Sequence, residues 1–149
     1  MTAKEYLLQV KRIGYQIKVL EDEIEELRNV EISVKSVWPD GQPRGSGVSD
    51  EVARVATKLA DELSGYELEL LELQSKLWRK RNEIIRALGS LQRPEHNRLL
   101  YLRYVQCATW EEIAEDMHYS EKWVRTTLHS DALEEFRKQF LEVPPQSML

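Results

Sequence analysis

The apolar residues of the first 27 positions keep a seven-residue beat. Tyr6, Val10, Ile13, Ile17, Leu20, Ile24 and Leu27 succeed one another at steps that alternate four and three. That spacing is the seam of a helix that packs lengthwise against another helix. Thr2 with Glu5 forms a capping box, so the spacing predicts one helix from Thr2 to about Val34. Gly14 sits off the seam and costs the helix roughly 1 kcal/mol relative to Ala. A second seam runs through Val52, Ala56, Leu59, Leu63, Tyr66, Leu70, Leu73 and Leu77, meets the polar Lys80, and resumes at Ile84, Ala87 and Leu91. It predicts a longer helix over Asp50 to about Leu91, with Asp50 and Glu51 suited to its positive N-terminus. At the α-helical rise the two rods would extend roughly 50 Å and about 63 Å. Neither can bury its seam alone. They pair with each other, antiparallel, or with copies from another subunit. The second outruns the first, so its overhang needs a further surface, and a helical hairpin that dimerises answers both needs.

Composition agrees with an all-α fold. Charged residues make up 32% of the chain and Gly and Pro are few, a balance that favours long helices. The single cysteine, Cys107, excludes an internal disulfide or a cysteine-based zinc site and fits a reducing cytoplasm. Met1 to Leu8 has no signal-peptide character, and no apolar run reaches the ~20 residues that span a bilayer. No membrane association is expected.

Two stretches interrupt or decorate the rods. Residues 36–49, SVWPDGQPRGSGVS, form a Gly/Pro-rich loop, in which Trp38 either packs on the hairpin or stays exposed and Arg44 is a linker residue or a phosphate contact. The acidic run Glu21 to Leu27 reads as a solvated helix face. Near the end of the second helix lie Lys76, Arg79, Lys80, Arg81 and Arg86 around Trp78, the most basic window of the chain. Arg79, Lys80, Arg81 and Arg86 are candidate phosphate contacts; the alternative is a solvated face paired with Glu72 and Glu83 at helical spacing.

Residues 1–91 thus form the hairpin, and 94–142 a separate module ahead of a disordered tail at 143–149. Gly89 and Ser90 end the rod and Pro94 suits the first position of a new helix. PEHNRLLYLRYVQC places Leu99, Leu100, Leu102, Tyr104 and Val105 in one apolar block, with Cys107 expected as a small buried residue. Ala108 to Leu133 then reads as two short helices on a tight turn. Thr109 with Glu112 is a second capping box; Trp110, Ile113, Ala114 and Met117 recur at helical spacing. Ser120 caps the next helix, with Trp123, Val124 and Leu128 on its inner side, and Phe136 and Phe140 prolong the stripe. Steeply crossing helices on a turn of about three residues make a helix-turn-helix pattern, whose second helix is the one offered to a DNA major groove. Charge tells against strong solitary binding. Residues 1–93 carry 15 Lys/Arg and 16 Asp/Glu, whereas residues 94–149 carry 6 and 10, and non-specific DNA affinity rests on phosphate neutralisation.

RLLYLRYVQCATWEEIAEDMHYS resembles the C-terminal module of sigma-70 region 4, in which an apolar helix precedes a Thr-x-Glu-Glu-Ile-Ala motif, a turn and a Ser-capped recognition helix. From Thr2 to Leu133 the chain looks like a group of small phage and prophage proteins, with an N-terminal segment beginning TAKEYL and a sigma-like module ending near LHxxAL. The resemblance implies a regulator of the late-gene activator kind, acting in the bacterial host cytosol. It matches Ile113, Ala114 and Val124 to the motif's core. Glu121, Lys122, Arg125 and Thr126 match positions that face DNA, and Ser120 the helix end that meets a phosphate. His118 stands where the turn usually has Gly, which requires φ > 0. One extra residue lies between Arg125 and LHSDAL, rotating the subsequent helical face by about 100°, so Thr127, His129 and Ser130 are not assigned to DNA.

Three functions fit this reading. The first is an oligomeric, dimer-favouring transcriptional regulator that binds double-stranded DNA. The second keeps the fold but makes host RNA polymerase the main partner. The third is a packaging component of the small-terminase kind. An enzyme is not expected, because His96, His118 and His129 lack a carboxylate pair or metal-ligand spacing. No cofactor, metal or small-molecule ligand is expected.

Overall fold

The computed structural model describes residues 1–36 and 47–141, and every regular element among them is helical. Trp38, Arg44 and the 143–149 tail lie outside the described residues. In order come α1 (Ala3–Leu7), α2 (Gln9–Lys35), α3 (Gly47–Gly89), α4 (Pro94–Leu100), α5 (Trp110–Met117), α6 (Glu121–Trp123) and α7 (His129–Phe136). Widened, π-helical turns extend α4 over Tyr101–Val105, join α6 to α7 over Val124–Leu128, and prolong α7 over Arg137–Leu141. The interruption between α1 and α2 is one residue. Leu8 N–H still donates to Lys4 O and Arg12 N–H to Leu8 O, so the hydrogen-bond ladder bridges it. No helix among the described residues is long and apolar enough to cross a membrane.

The chain divides into two compact units. Tyr15–Ser75 forms one; Met1–Gly14 and Lys76–Leu149 form the other. The change of helix at residues 91–94 therefore lies inside the second of these.

In the 15–75 unit the seam of α2 is buried at Ile17, Leu20 and Ile24. The seam of α3 is covered only in part, because Val52, Ala56, Leu59, Leu63, Tyr66, Leu70 and Leu73 are all half-buried. Arg28 reaches Glu67 at 2.9 Å, and Ile24 and Leu70 line one shallow groove, which fixes the pair as antiparallel. Both ends of the Arg28–Glu67 pair are well exposed, so it contributes at most about 1 kcal/mol. The packing of the seam sets the register.

The other unit holds the main core. Ala3, Leu7 and Val10 from the N-terminal helices, Ile84 and Leu88 from the end of α3, and Leu91 from the link after it join Leu99, Leu100, Leu102, Tyr104 and Val105. Ile113, Ala114, Val124, Leu128, Ala132 and Phe136 complete it. Burying one such Leu, Ile or Phe is worth about 1.5–3 kcal/mol, so a core of this size is a large stabilising contribution to the unit. The capping box forms at the start of α1: Thr2 N–H donates to Glu5 Oε2 at 3.0 Å and Glu5 N–H to Thr2 Oγ1 at 3.1 Å.

The α4 start has no side-chain cap from Arg93. Glu135 of α7 serves instead. Its Oε1 accepts the N–H groups of Gln92 and Arg93 at 3.0 and 3.3 Å, while Oε2 lies 2.8 Å from His96 Nδ1. Gln139 Nε2 donates to Ser90 O at 2.8 Å. The C-terminal helix thereby straps the α3–α4 link.

Candidate nucleic-acid interface

The stretch from Ala108 begins with a capping box. Glu112 N–H donates to Thr109 Oγ1 at 3.2 Å and Thr109 N–H to Glu112 Oε2 at 3.4 Å. Ile113 and Ala114 face inward, and Arg98 ties α4 to α5 through a two-point pair with Asp116 at 2.7 and 3.0 Å. That guanidinium holds the Asp116 carboxyl below its usual range. At the end of α5, His118 takes φ 61° and ψ 39°, and its amide donates to Ala114 O. Tyr119 N–H donates to the same carbonyl at 3.2 Å. A left-handed residue with two amides returned to the last turn stops a helix and reverses the chain.

Ser120 then opens the next helix: its hydroxyl accepts from Trp123 N–H at 3.2 Å and its carbonyl from Val124 N–H at 3.1 Å. Val124 and Leu128 are buried. Lys122, Arg125 and Thr126 are exposed; by the α-helical advance of about 100° per residue, Lys122 and Thr126 lie opposite Val124 and Arg125 lies on the flank between them and Val124. Arg125 and Thr126 already have partners within the helix. Arg125 Nη1 lies 3.4 Å from Glu121 Oε1, and Thr126 Oγ1 donates to Lys122 O at 2.6 Å. Lys122 thus presents its charge on the same face as Thr126, with Arg125 beside them and Glu121 partly offsetting it.

Two expectations are corrected. Trp123 does not face inward: it is 38% exposed and its ring packs on Tyr119 with centroids 4.7 Å apart. It lies one position, about 100°, from Val124, and the core is already filled there by Val124 and Ile113. Cys107 is exposed, not buried. The widened turn that ends α4 closes through Gln106 N–H to Tyr101 O at 3.1 Å and Ala108 N–H to Leu102 O at 2.9 Å. That closure puts Cys107 at φ 57° and turns it away from the apolar block.

The basic window of α3 separates into parts. Lys80 is half-buried, with Nζ 3.0 Å from Glu83 Oε2 and 5.5 Å above the Tyr6 ring. Tyr6 O–H donates to Glu83. Burial and that neighbouring carboxylate push the Tyr6 phenol well up, while the Tyr6 and Lys80 hydrogen bonds hold Glu83 down. Lys80 is therefore a packing and ion-pair residue. Arg79 and Arg86 line one shallow groove with Trp78, Asn82 and Glu83, all from α3. Arg81 is exposed and lies about 200° around the helix from Arg79, so it belongs to another face.

The Tyr119–Trp123 pair was not legible in the sequence: Tyr119 precedes the Ser120 cap and lies outside the helix, so helical spacing does not announce the contact. No three His, Cys, Asp or Glu side chains converge as metal ligands among the described residues. No protein-family model, curated protein or solved structure matches the chain.

Proposed function

We propose that this chain is a phage or prophage transcriptional regulator, a non-enzymatic protein whose α5–α6 segment is a sigma-70 region 4-like helix-turn-helix that binds double-stranded DNA. The observation that carries the reading is the reversal at His118. A left-handed residue ends α5, Ser120 restarts the chain, and Val124 and Leu128 anchor the second helix while Lys122, Arg125 and Thr126 stay outside. Such a helix can enter a major groove with its first turns. The surplus residue between Arg125 and LHSDAL is a departure from the family spacing that this helix accommodates. It falls in the widened Val124–Leu128 turn, where His129 N–H reaches back five residues to Val124 O. A five-residue turn absorbs one additional residue in a helix, and it keeps Leu128, Ala132 and Phe136 in line with Val124, all buried. Arg79 and Arg86 would add phosphate contacts.

Gel shifts against phage regulatory fragments test this. A discrete complex is expected, lost in Arg125→Ala, with Arg125 worth about 1–3 kcal/mol. Glu121→Gln removes the competing partner of Arg125 and should tighten binding. Absence of any complex at low salt would sink the DNA reading.

The acidity of residues 94–149 favours a second reading, in which host RNA polymerase is the principal partner and DNA contact is secondary. Pull-down with purified polymerase distinguishes them: retention of polymerase without a DNA complex selects the second. The half-buried seam of α3 favours a homodimer in either case, whereas a ring-sized assembly would point to a small-terminase-like packaging role.

A further inference from the structure

In the unit formed by Met1–Gly14 and Lys76–Leu149, a cavity of about 80 Å³ opens between the N-terminal helices, the turn after α4, and the start of α7. Lys4, Lys11 and Arg103 line it, together with Tyr104, Trp110 and His129. None of its lining residues is acidic, in a chain where acids outnumber bases by 26 to 21. Lys4 and Arg103 make the field in this concave site positive, as their effect on His129 shows, and an anion that enters is attracted by it.

The wall is built rather than incidental. Arg103 Nη1 donates to Ala108 O at 3.0 Å, and the guanidinium carbon lies 4.2 Å from the Trp110 ring centroid. Trp110 meets the His129 ring edge-on with centroids 4.8 Å apart. Tyr104 Oη and His129 Nε2 are 2.7 Å apart. Arg103 is thus held in place before any ligand arrives, which lowers the cost of binding. Burial, and after it the charges of Lys4 and Arg103, pulls the His129 imidazole down to about 4, a sign that the local field is positive.

The volume decides the ligand class. It is several times the 10–15 Å³ or so that one water needs, enough for a tetrahedral oxyanion and too small for a nucleoside. We infer that this cavity is a binding site for a phosphate group, held by Lys4, Lys11 and Arg103 with polar contacts from the Tyr104–His129 pair. Arg and Lys are the side chains that recognise phosphate oxygens. The phosphate is either inorganic or the terminal group of a small monoester whose remainder projects into solvent. The site is distinct from the α6 face and does not depend on DNA binding.

Titration calorimetry on the full chain tests it, using sodium phosphate and, separately, glycerol 3-phosphate against chloride of equal ionic strength. Saturable one-to-one binding is expected, weakened about tenfold or more in Lys4→Gln and again in Lys11→Gln. Both lysines are exposed, so the fold should survive; unchanged helicity and melting of the two variants verify that. Arg125→Ala should bind phosphate as the native chain does. NMR should show the His129 ring signals moving with saturation. Tighter binding of the monoester assigns a carried phosphate, and tighter binding of phosphate assigns the free ion. Non-saturating heats, an equal response to chloride, or native affinity in the Lys4→Gln/Lys11→Gln double variant would overturn the proposal.

Discussion

His118 and Cys107 carry positive φ without being glycine, and each sits where a helix must stop. An L-residue there bears a steric cost of about 1–2 kcal/mol that glycine avoids. His118→Gly should therefore leave stability unchanged or raise it by up to about 1 kcal/mol in urea denaturation, the gain being limited by glycine's added backbone entropy. His118→Val, β-branched at the same φ, should lower stability by about 1–3 kcal/mol. Equal effects of the two would show that the turn is not held in the left-handed conformation. His129 makes a different kind of prediction. Its folded imidazole is pulled from 6.5 to about 4, chiefly by burial and then by Lys4 and Arg103, so in that window the unfolded chain binds more protons. The contribution is complete above about pH 6.5 and is lost as pH falls toward 4. Denaturation between pH 7 and 4 should show the native chain losing stability more steeply than His129→Gln. Parallel profiles would refute the assignment.

At the scale of elements, the heptad of the first helix was readable because its seam is covered along its length, first by the main core at Val10 and then within the 15–75 unit. Val10, Ile13, Ile17, Leu20 and Ile24 are all buried, each at its seam position. The same rule misses Ala3, Leu7 and Leu88, which lie off the seam and are still buried. They are covered because the N-terminal helices and the end of α3 enter a core with several neighbours, and a two-helix periodicity cannot describe that. The helix starts at Thr2, Thr109 and Ser120 were legible for a local reason: cap and capped amide are three residues apart. Glu135 was not legible. It caps α4 from 43 residues away and binds a His96 that is 4% exposed, and nothing local in either segment announces the partner. Charge-assisted hydrogen bonds of this kind contribute about 1.5–3 kcal/mol. Glu135→Ala should cost about that much or more in chemical denaturation, since it strands two amides and a buried imidazole. Glu134→Ala, which removes an exposed partner of Arg137 and Lys138, should cost less than about 1 kcal/mol.

For the molecule as a whole, the question is what covers the apolar surface that one chain leaves open. In the 15–75 unit, Val19, Ile32, Leu68 and Leu71 are between 62% and 65% exposed, and the α3 seam from Val52 to Leu73 is only half-buried. Single exposed hydrophobics are ordinary, but repeated ones along paired rods mark association surfaces. Leu68 and Leu71 are three residues apart and neighbours on one helix face, so a second hairpin laid along α3 would bury both at once. Full burial of a leucine is worth about 1.5–3 kcal/mol, and a symmetric dimer buries each residue twice. On the proposed homodimer, Leu68→Glu with Leu71→Glu should leave a monomer in light scattering while preserving helicity, because neither residue belongs to the seam that joins α2 to α3. If the proposed DNA binding uses two half-sites, the same variant should lose DNA affinity with the dimer even though Lys122 and Arg125 are untouched. A double variant that stays dimeric would move the interface elsewhere on the chain; one that is monomeric yet binds DNA as tightly would separate association from recognition.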